Sequence, residues 1–269
     1  MNDGKLLKKI FTFGDSSGAV TKNFVKDWQY NWVEHIHLTE LTEEIFNTSD
    51  DHEFFSLYVI DINTSSLDLF ESIASFLKYR NNFEVIAISE KSLSLTQIGI
   101  LSRINDICEY SKIKLVGHES LPCILECYAH VLCGWSYTCI DFNDTHEWLH
   151  AGTTFLSAGS YIDLAVKNEL PYMLYLQLAE LKAKYENLDL EVAALNVVFL
   201  GAYISQDLFV ASLAMVSGNF GLDLNLTVHS NIQEANQNGK VGFKIFASLT
   251  KKSISTQLSE TDAPAFLRE

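Results

Sequence analysis

Residues 10–24 read IFTFGDSSGAVTKNF, and the alternation of apolar runs with polar or helical segments continues to about residue 117. An apolar run ends at Gly14, and apolar residues then return at helical spacing at Val20 and Phe24. This pattern predicts a strand, a glycine turn and a helix. Four more short apolar runs follow, separated by polar or helical segments: WVEHIHL (32–38), FSLYVIDI (55–62), EVIAIS (84–89) and KIKLVG (112–117). The alternation predicts a parallel sheet covered by helices.

A long apolar segment, LPCILECYAHVLCGW (121–135), separates this region from a second one. It is too long for a strand and predicts a buried connecting helix that begins near Pro122. We expect four parts: a sheet domain (1–117), the connecting helix (118–138), a second α/β domain (139–250) and a flexible tail (251–269). Within the second domain the sequence predicts helices around 161–184 and from about Asp207 to Ser217, and strands in 194–203, 222–230 and 241–249.

Turn signals supply the remaining local predictions for the second domain. The Asn-Gly pair at 238–239 predicts a hairpin between its last two strands. The small residues Thr153, Thr154 and 157–159 are predicted to lie in turns.

Composition limits the classes of partner. The chain has 34 acidic and 19 basic residues, a formal charge of -15, which repels nucleic acid and anionic lipid. The sequence therefore predicts a protein partner with a basic surface. Its most apolar stretch, 192–216, is interrupted by polar residues, so we expect no direct membrane insertion. Five cysteines without a CxxC motif and a start too short for a signal peptide predict a cytoplasmic protein with reduced thiols.

The order of these elements resembles that of FtsZ, in the FtsZ/tubulin family. GDSSGAVTKN lies where the family has GGxGGNAVN and keeps Gly14, Gly18, Ala19, Val20 and Asn23. NTSSLDL (63–69) lies where the family has its GGGTGTG loop, and CIDFNDT (139–145) resembles the family's NVDFADV. The resemblance implies an FtsZ/tubulin-like α/β fold: a Rossmann-type parallel-sheet N-terminal domain, a central connecting helix and a smaller α/β C-terminal domain.

The glycine loops depart from the family in ways that bear on nucleotide binding. Glycines let successive backbone N–H groups converge on a phosphate, but NTSSLDL contains none, and Asp15 and Asp68 add negative charge. The phosphate loop, matched to Gly14, Ser16, Ser17 and Gly18, is thus expected to be degenerate. The sequence predicts a non-enzymatic scaffold or adaptor without bound GTP, one subunit of a larger bacterial assembly in cell division or secretion.

Two carboxylates follow the connecting helix, Asp141 and Asp144. By resemblance they match the family residues that reach the nucleotide of a neighbouring subunit, so they could be vestigial or face a partner and support a weak or partner-dependent GTPase. Alternatively they cap a helix that begins near Thr145.

His146, Glu147 and His150 form an HExxH motif, the pattern of a zinc hydrolase in which two imidazoles bind the metal and the glutamate is the base. A third ligand would have to be distant, for example Glu169, Glu180 or His229. The alternative is a surface helix with Trp148 packed inward. Similarly, Cys123, Cys127 and His130 could bind metal from one helix face or be packed core.

Overall fold

The structure is a computed structural model. It describes residues 7–26, 33–38, 55–62, 72, 73, 75, 83–89, 98, 99, 101, 102, 113–132, 142–200, 206–220, 225–231 and 239–252. The predicted NTSSLDL loop, Asp141, and the chain beyond Lys252 lie outside these residues.

The first half of the described chain forms a five-stranded parallel sheet of the predicted type. Its strands are β1 (Leu7–Phe13), β2 (Glu34–Leu38), β3 (Phe55–Asp61), β4 (Phe83–Ser89) and β5 (Lys114–Gly117), in the order β2-β1-β3-β4-β5. All four neighbouring pairs are parallel. After β1 the chain moves to one side of the sheet to form β2, and after β2 it crosses to the other side of β1 to form β3. The strand order therefore reverses between β1 and β3. In such sheets, the crevice at the carboxyl ends of the two strands that flank this point is the usual ligand site.

Two helices cover one face of this sheet. Helix α1 (Asp15–Lys26) follows β1 directly, and a short 3₁₀ turn (His118–Ser120) leads from β5 into helix α2 (Leu121–Leu132). Helix α2 is the predicted connecting helix, and it is apolar around most of its circumference because it lies between two sheets. Ile124, Leu125 and Tyr128 are fully buried, in one core with Ile10 of the first sheet and Phe246 of the second.

The second half of the described chain is a mixed sheet with two helices. Helix α3 (Phe142–Ala151) leads into β6 (Thr154–Asp163), a 3₁₀ segment (Leu164–Glu169) and helix α4 (Leu170–Glu186). Then follow β7 (Leu190–Leu200), helix α5 (Gln206–Phe220), β8 (Asn225–Asn231) and β9 (Lys240–Lys251). The strand order is β6-β9-β7-β8. Helices α4 and α5 pack against each other, and α4 also packs against β6, β7 and β9.

Three local predictions for this half were wrong. Strand β9 pairs antiparallel with β6 and β7, and the described part of β8 pairs only with β7, in parallel, so the predicted β8–β9 hairpin does not form. Thr154 and the small residues 157–159, predicted to lie in turns, belong to β6. The helix predicted from about 161 begins at Leu170, because residues 161–163 still pair with β9.

Candidate functional site

The turn between β1 and α1 has the predicted geometry. Gly14 has a φ of 91°, a conformation that glycine adopts without strain, and α1 begins at the next residue. The buried Ser17 hydroxyl donates to the carbonyl oxygens of Phe13, at 2.7 Å, and Gly14, at 2.9 Å. The Gly18 N–H donates to the Gly14 carbonyl at 3.1 Å. Ser17 is therefore bound to its own turn. Ser16 lies in the first turn of α1, and its side chain is outside the description.

The neighbouring strand β2 brings an imidazole ring onto α1. Thr12 of β1 is opposite His37 of β2 in the parallel register. A Cβ atom placed on Gly18 would lie 2.5 Å from His37 Nδ1 and 2.6 Å from its Cε1. Any larger residue at position 18 would displace the His37 ring, because the ring occupies the space that a side chain at this position would need.

A hydroxyl holds that ring in place. Thr12 is fully buried, and its Oγ1 lies 2.9 Å from His35 Nε2 and 3.1 Å from His37 Nδ1. Burial lowers the pKa of His35, and the charges of His37 and Lys22 lower it further. His35 is thus neutral at physiological pH. Sequence reasoning missed this cluster, although the alternation of WVEHIHL already placed both histidines on one face of β2.

The loop that resembles NVDFADV leads into α3 earlier than predicted. The helix begins at Phe142, not near Thr145, so Asp144 is in its first turn and is not the residue that precedes it. A carboxylate in the first turn interacts favourably with the helix dipole and stabilises the helix. The Asp144 side chain is partly exposed. Its predicted partner Asp141 is outside the described residues, so the paired arrangement stays a prediction.

The HExxH motif lies on α3 as predicted. His146 and His150 are adjacent, with ring centroids 4.3 Å apart, and Glu147 is exposed. Trp148 is 1% exposed, which confirms that it packs inward. Within the described part of the chain, no group of three or more His, Cys, Asp or Glu side chains could hold a metal ion. The distant ligand candidates Glu169 and Glu180 are exposed on the chain that follows β6.

The other metal candidate is packed core, as the alternative interpretation proposed. Cys123 and Cys127 are free and buried on α2. The Asn196 amide Nδ2 donates to Cys127 Sγ at 3.4 Å. Burial, and then the negative charge of Glu126, raise the pKa of Cys123 to about 12, and burial raises the pKa of Cys127 well above its ordinary value. Both sulfurs are therefore protonated and poor ligands or nucleophiles at neutral pH.

Sequence reasoning missed an ion pair that joins α2 to the second sheet. Lys244 Nζ of β9 donates to Glu126 Oε1 at 2.6 Å, and His130 Nε2 lies 3.8 Å from the same oxygen. Burial by itself raises the pKa of Glu126, but His130 and Lys244 outweigh burial and hold it at about 2. The two residues of the ion pair are 118 positions apart, so no local pattern could have indicated it.

Comparisons with known proteins agree with this architecture. No protein-family model matches the sequence, and no curated protein matches it significantly. Among solved structures, the chain is similar to an empty FtsZ dimer from M. jannaschii, with 8% identity, a TM-score of 0.52, and coverage of 92% of this chain and 93% of that one. It is also similar to CetZ2 from Haloferax volcanii in a GTPγS-bound protofilament, with 10% identity, a TM-score of 0.54, and coverage of 92% and 95%.

These likenesses show the fold. The chain has an FtsZ/tubulin-like α/β fold over nearly its whole length, with a parallel sheet, a connecting helix and a second sheet, as the resemblance implied. In the described part of the chain, no helix is long and apolar enough to cross a membrane.

Proposed function

We propose that this chain is a non-enzymatic FtsZ-like scaffold or adaptor, a cytoplasmic subunit of a larger bacterial assembly in cell division or secretion, which binds no GTP. The observation that carries the proposal is the His37 ring on Gly18, at the carboxyl end of β1. Gly18 could contribute to phosphate binding only if the phosphates could approach its backbone closely.

The residues of the first turn do not fit a triphosphate. An anion site at a helix start needs open N–H groups and small neighbours. Here the His37 imidazole occupies the space beside Gly18, and the Ser17 hydroxyl donates to the backbone carbonyls of Phe13 and Gly14. The first residue of α1 is also acidic, Asp15, and a negative charge near the helix start disfavours a second anion there. Together these features support a degenerate phosphate loop, and we assign no catalytic step to it.

The surface of α4 supports a role in binding protein. This helix buries one apolar stripe, of which Leu174 and Leu178 are part, against the second sheet. Its opposite side exposes Tyr172 (61%), Tyr175 (44%) and Leu176 (40%), which are neighbours at helical spacing. An exposed aromatic and aliphatic cluster of this kind is typical of a protein-binding surface. With a formal charge of -15 on the chain, the partner that fits is a protein with basic residues around an apolar contact.

Calorimetry with GTP and Mg²⁺ at high protein concentration tests the nucleotide part of the proposal, with a GTP-binding FtsZ as positive control. We expect no saturable heat from this chain and a normal isotherm from the control. A micromolar dissociation constant for this chain would refute the proposal.

Affinity purification from native bacterial cytosol tests the scaffold part. The Tyr172→Glu variant should no longer retain a stoichiometric partner, because the substitution places a charge in the exposed cluster of Tyr172, Tyr175 and Leu176 on α4. Asn168→Glu adds the same charge in the exposed 3₁₀ segment before α4 and should retain the partner. Equal recovery of the partner by both variants, or no partner with the unmodified chain, would count against the proposed role of α4.

A further inference from the structure

Two histidines stand side by side on the outer part of α3. His146 and His150 are one helical turn apart, and their ring centroids are separated by 4.3 Å with an angle of 40° between the ring planes. Both side chains are half-buried, and the Glu147 side chain beside them is exposed. The pair therefore borders solvent on a regular helix.

The rest of α3 fixes the position of this pair. Trp148 and Leu149 point into the core, and the Trp148 indole N–H donates to the Phe246 carbonyl at 2.9 Å. The Trp148 ring also packs against Phe155, with centroids 5.2 Å apart. Because the core side of the helix is anchored, the backbone presents both imidazoles without having to be ordered by a ligand.

We propose that His146 and His150 form a two-ligand site for a divalent transition-metal ion of the Zn²⁺, Co²⁺, Ni²⁺ or Cu²⁺ class. These ions favour neutral imidazole and bind its nitrogen at about 2.0–2.1 Å for zinc. Histidines one helical turn apart on one helix face can each offer one ring nitrogen to the same ion. The exposed Glu147 carboxylate and the acidic chain lower the electrostatic cost of holding a cation there.

The site differs from that of a zinc hydrolase in its ligand number. Catalytic zinc sites hold the metal with three protein ligands and keep one position for water. In the part of the chain that the structure describes, these two histidines belong to no set of three or more potential ligands. The remaining coordination positions go to water, and the proposal assigns metal binding without hydrolysis.

Titration with Zn²⁺ against a chromophoric chelator, and with Co²⁺ followed by visible absorption, tests the site on the whole chain. The variants are His146→Ala, His150→Ala and His150→Gln. The matched control is His118→Ala, which removes a half-buried histidine from the turn before α2. Circular dichroism without metal establishes that each variant is folded.

We expect the unmodified chain and His118→Ala to bind one ion per chain saturably, and each variant at position 146 or 150 to lose that binding. Undiminished binding by a folded His150→Ala variant, or no binding by the unmodified chain, would overturn the proposal. Neither result depends on whether the chain binds GTP.

Discussion

Replacing Glu126 by glutamine should destabilise the protein by an amount that depends on pH. The carboxylate accepts a 2.6 Å hydrogen bond from Lys244, and both side chains are about three-quarters buried, at 24% and 25% exposure. Burial opposes ionisation, but His130 and Lys244 lower the pKa of Glu126 from 4.5 to about 2. At about 1.4 kcal/mol for each pKa unit, the charged form contributes about 3 kcal/mol to the free energy of unfolding at neutral pH.

The sign of the pH dependence follows from the lowered pKa. A carboxylate whose pKa is lower in the folded state stabilises the protein fully above its unfolded pKa, 4.5, and loses that contribution as the pH falls towards about 2. The difference in unfolding free energy between the unmodified chain and Glu126→Gln should thus be about 3 kcal/mol at pH 7 and less than half of that at pH 3.

Urea denaturation at several pH values measures this difference, and Glu180→Gln, on the exposed surface of α4, is the matched control. The control should change the unfolding free energy by less than about 0.5 kcal/mol at every pH. A Glu126→Gln effect that is the same at pH 3 and pH 7, or that is no larger than the control's, would show that the ion pair does not stabilise the join between α2 and β9.

Two further substitutions test the contacts around α1 and α3. Gly18→Ala should leave the free energy of unfolding nearly unchanged, because the better helix propensity of alanine, about 1 kcal/mol, is offset when the new methyl group displaces the His37 ring. In a His37→Ala background, the same change should stabilise the protein by roughly 1 kcal/mol. Equal effects in both backgrounds would show that residue 18 and the His37 ring are not in contact. Trp148→Phe should lower the free energy of unfolding by about 2 kcal/mol, because it removes buried volume and the indole N–H that donates to the Phe246 carbonyl. Urea denaturation measures the change, and a value below about 0.5 kcal/mol would contradict this packing.

Local patterns predicted the elements of the first sheet well because each strand there carries its own signal. The apolar runs of β1, β3 and β4 fix them as buried strands, and Gly14 marks the turn into α1. The position of the His37 ring was beyond such reasoning. It depends on how α1 lies across two strands, which is a property of packing and not of spacing.

The wrong hairpin shows where local signals fail in the second sheet. Gly239 does adopt a left-handed conformation, with a φ of 66°, so the turn signal itself was sound. The partners of β9 were decided by packing: most of β9 is buried, which suits a central strand between β6 and β7. The paired residues of β9 and β6 are far apart in the sequence, from Asp163 with Lys240 to Thr154 with Leu249, and Glu126 and Lys244 are 118 positions apart. Contacts between such distant residues leave no local trace in the sequence.

The contacts at the first turn also bear on how the fold is stabilised without a ligand. A ligand that binds only the folded state at a thousandfold excess over its dissociation constant stabilises that state by about 4 kcal/mol. Under the proposed function, the chain's own groups hold this turn: the Ser17 hydroxyl donates to the Phe13 carbonyl, and the His37 ring lies against Gly18. Because these contacts are internal, the thermal midpoint of this protein should not move with GTP concentration, whereas a site of micromolar affinity would raise it by several degrees at millimolar GTP.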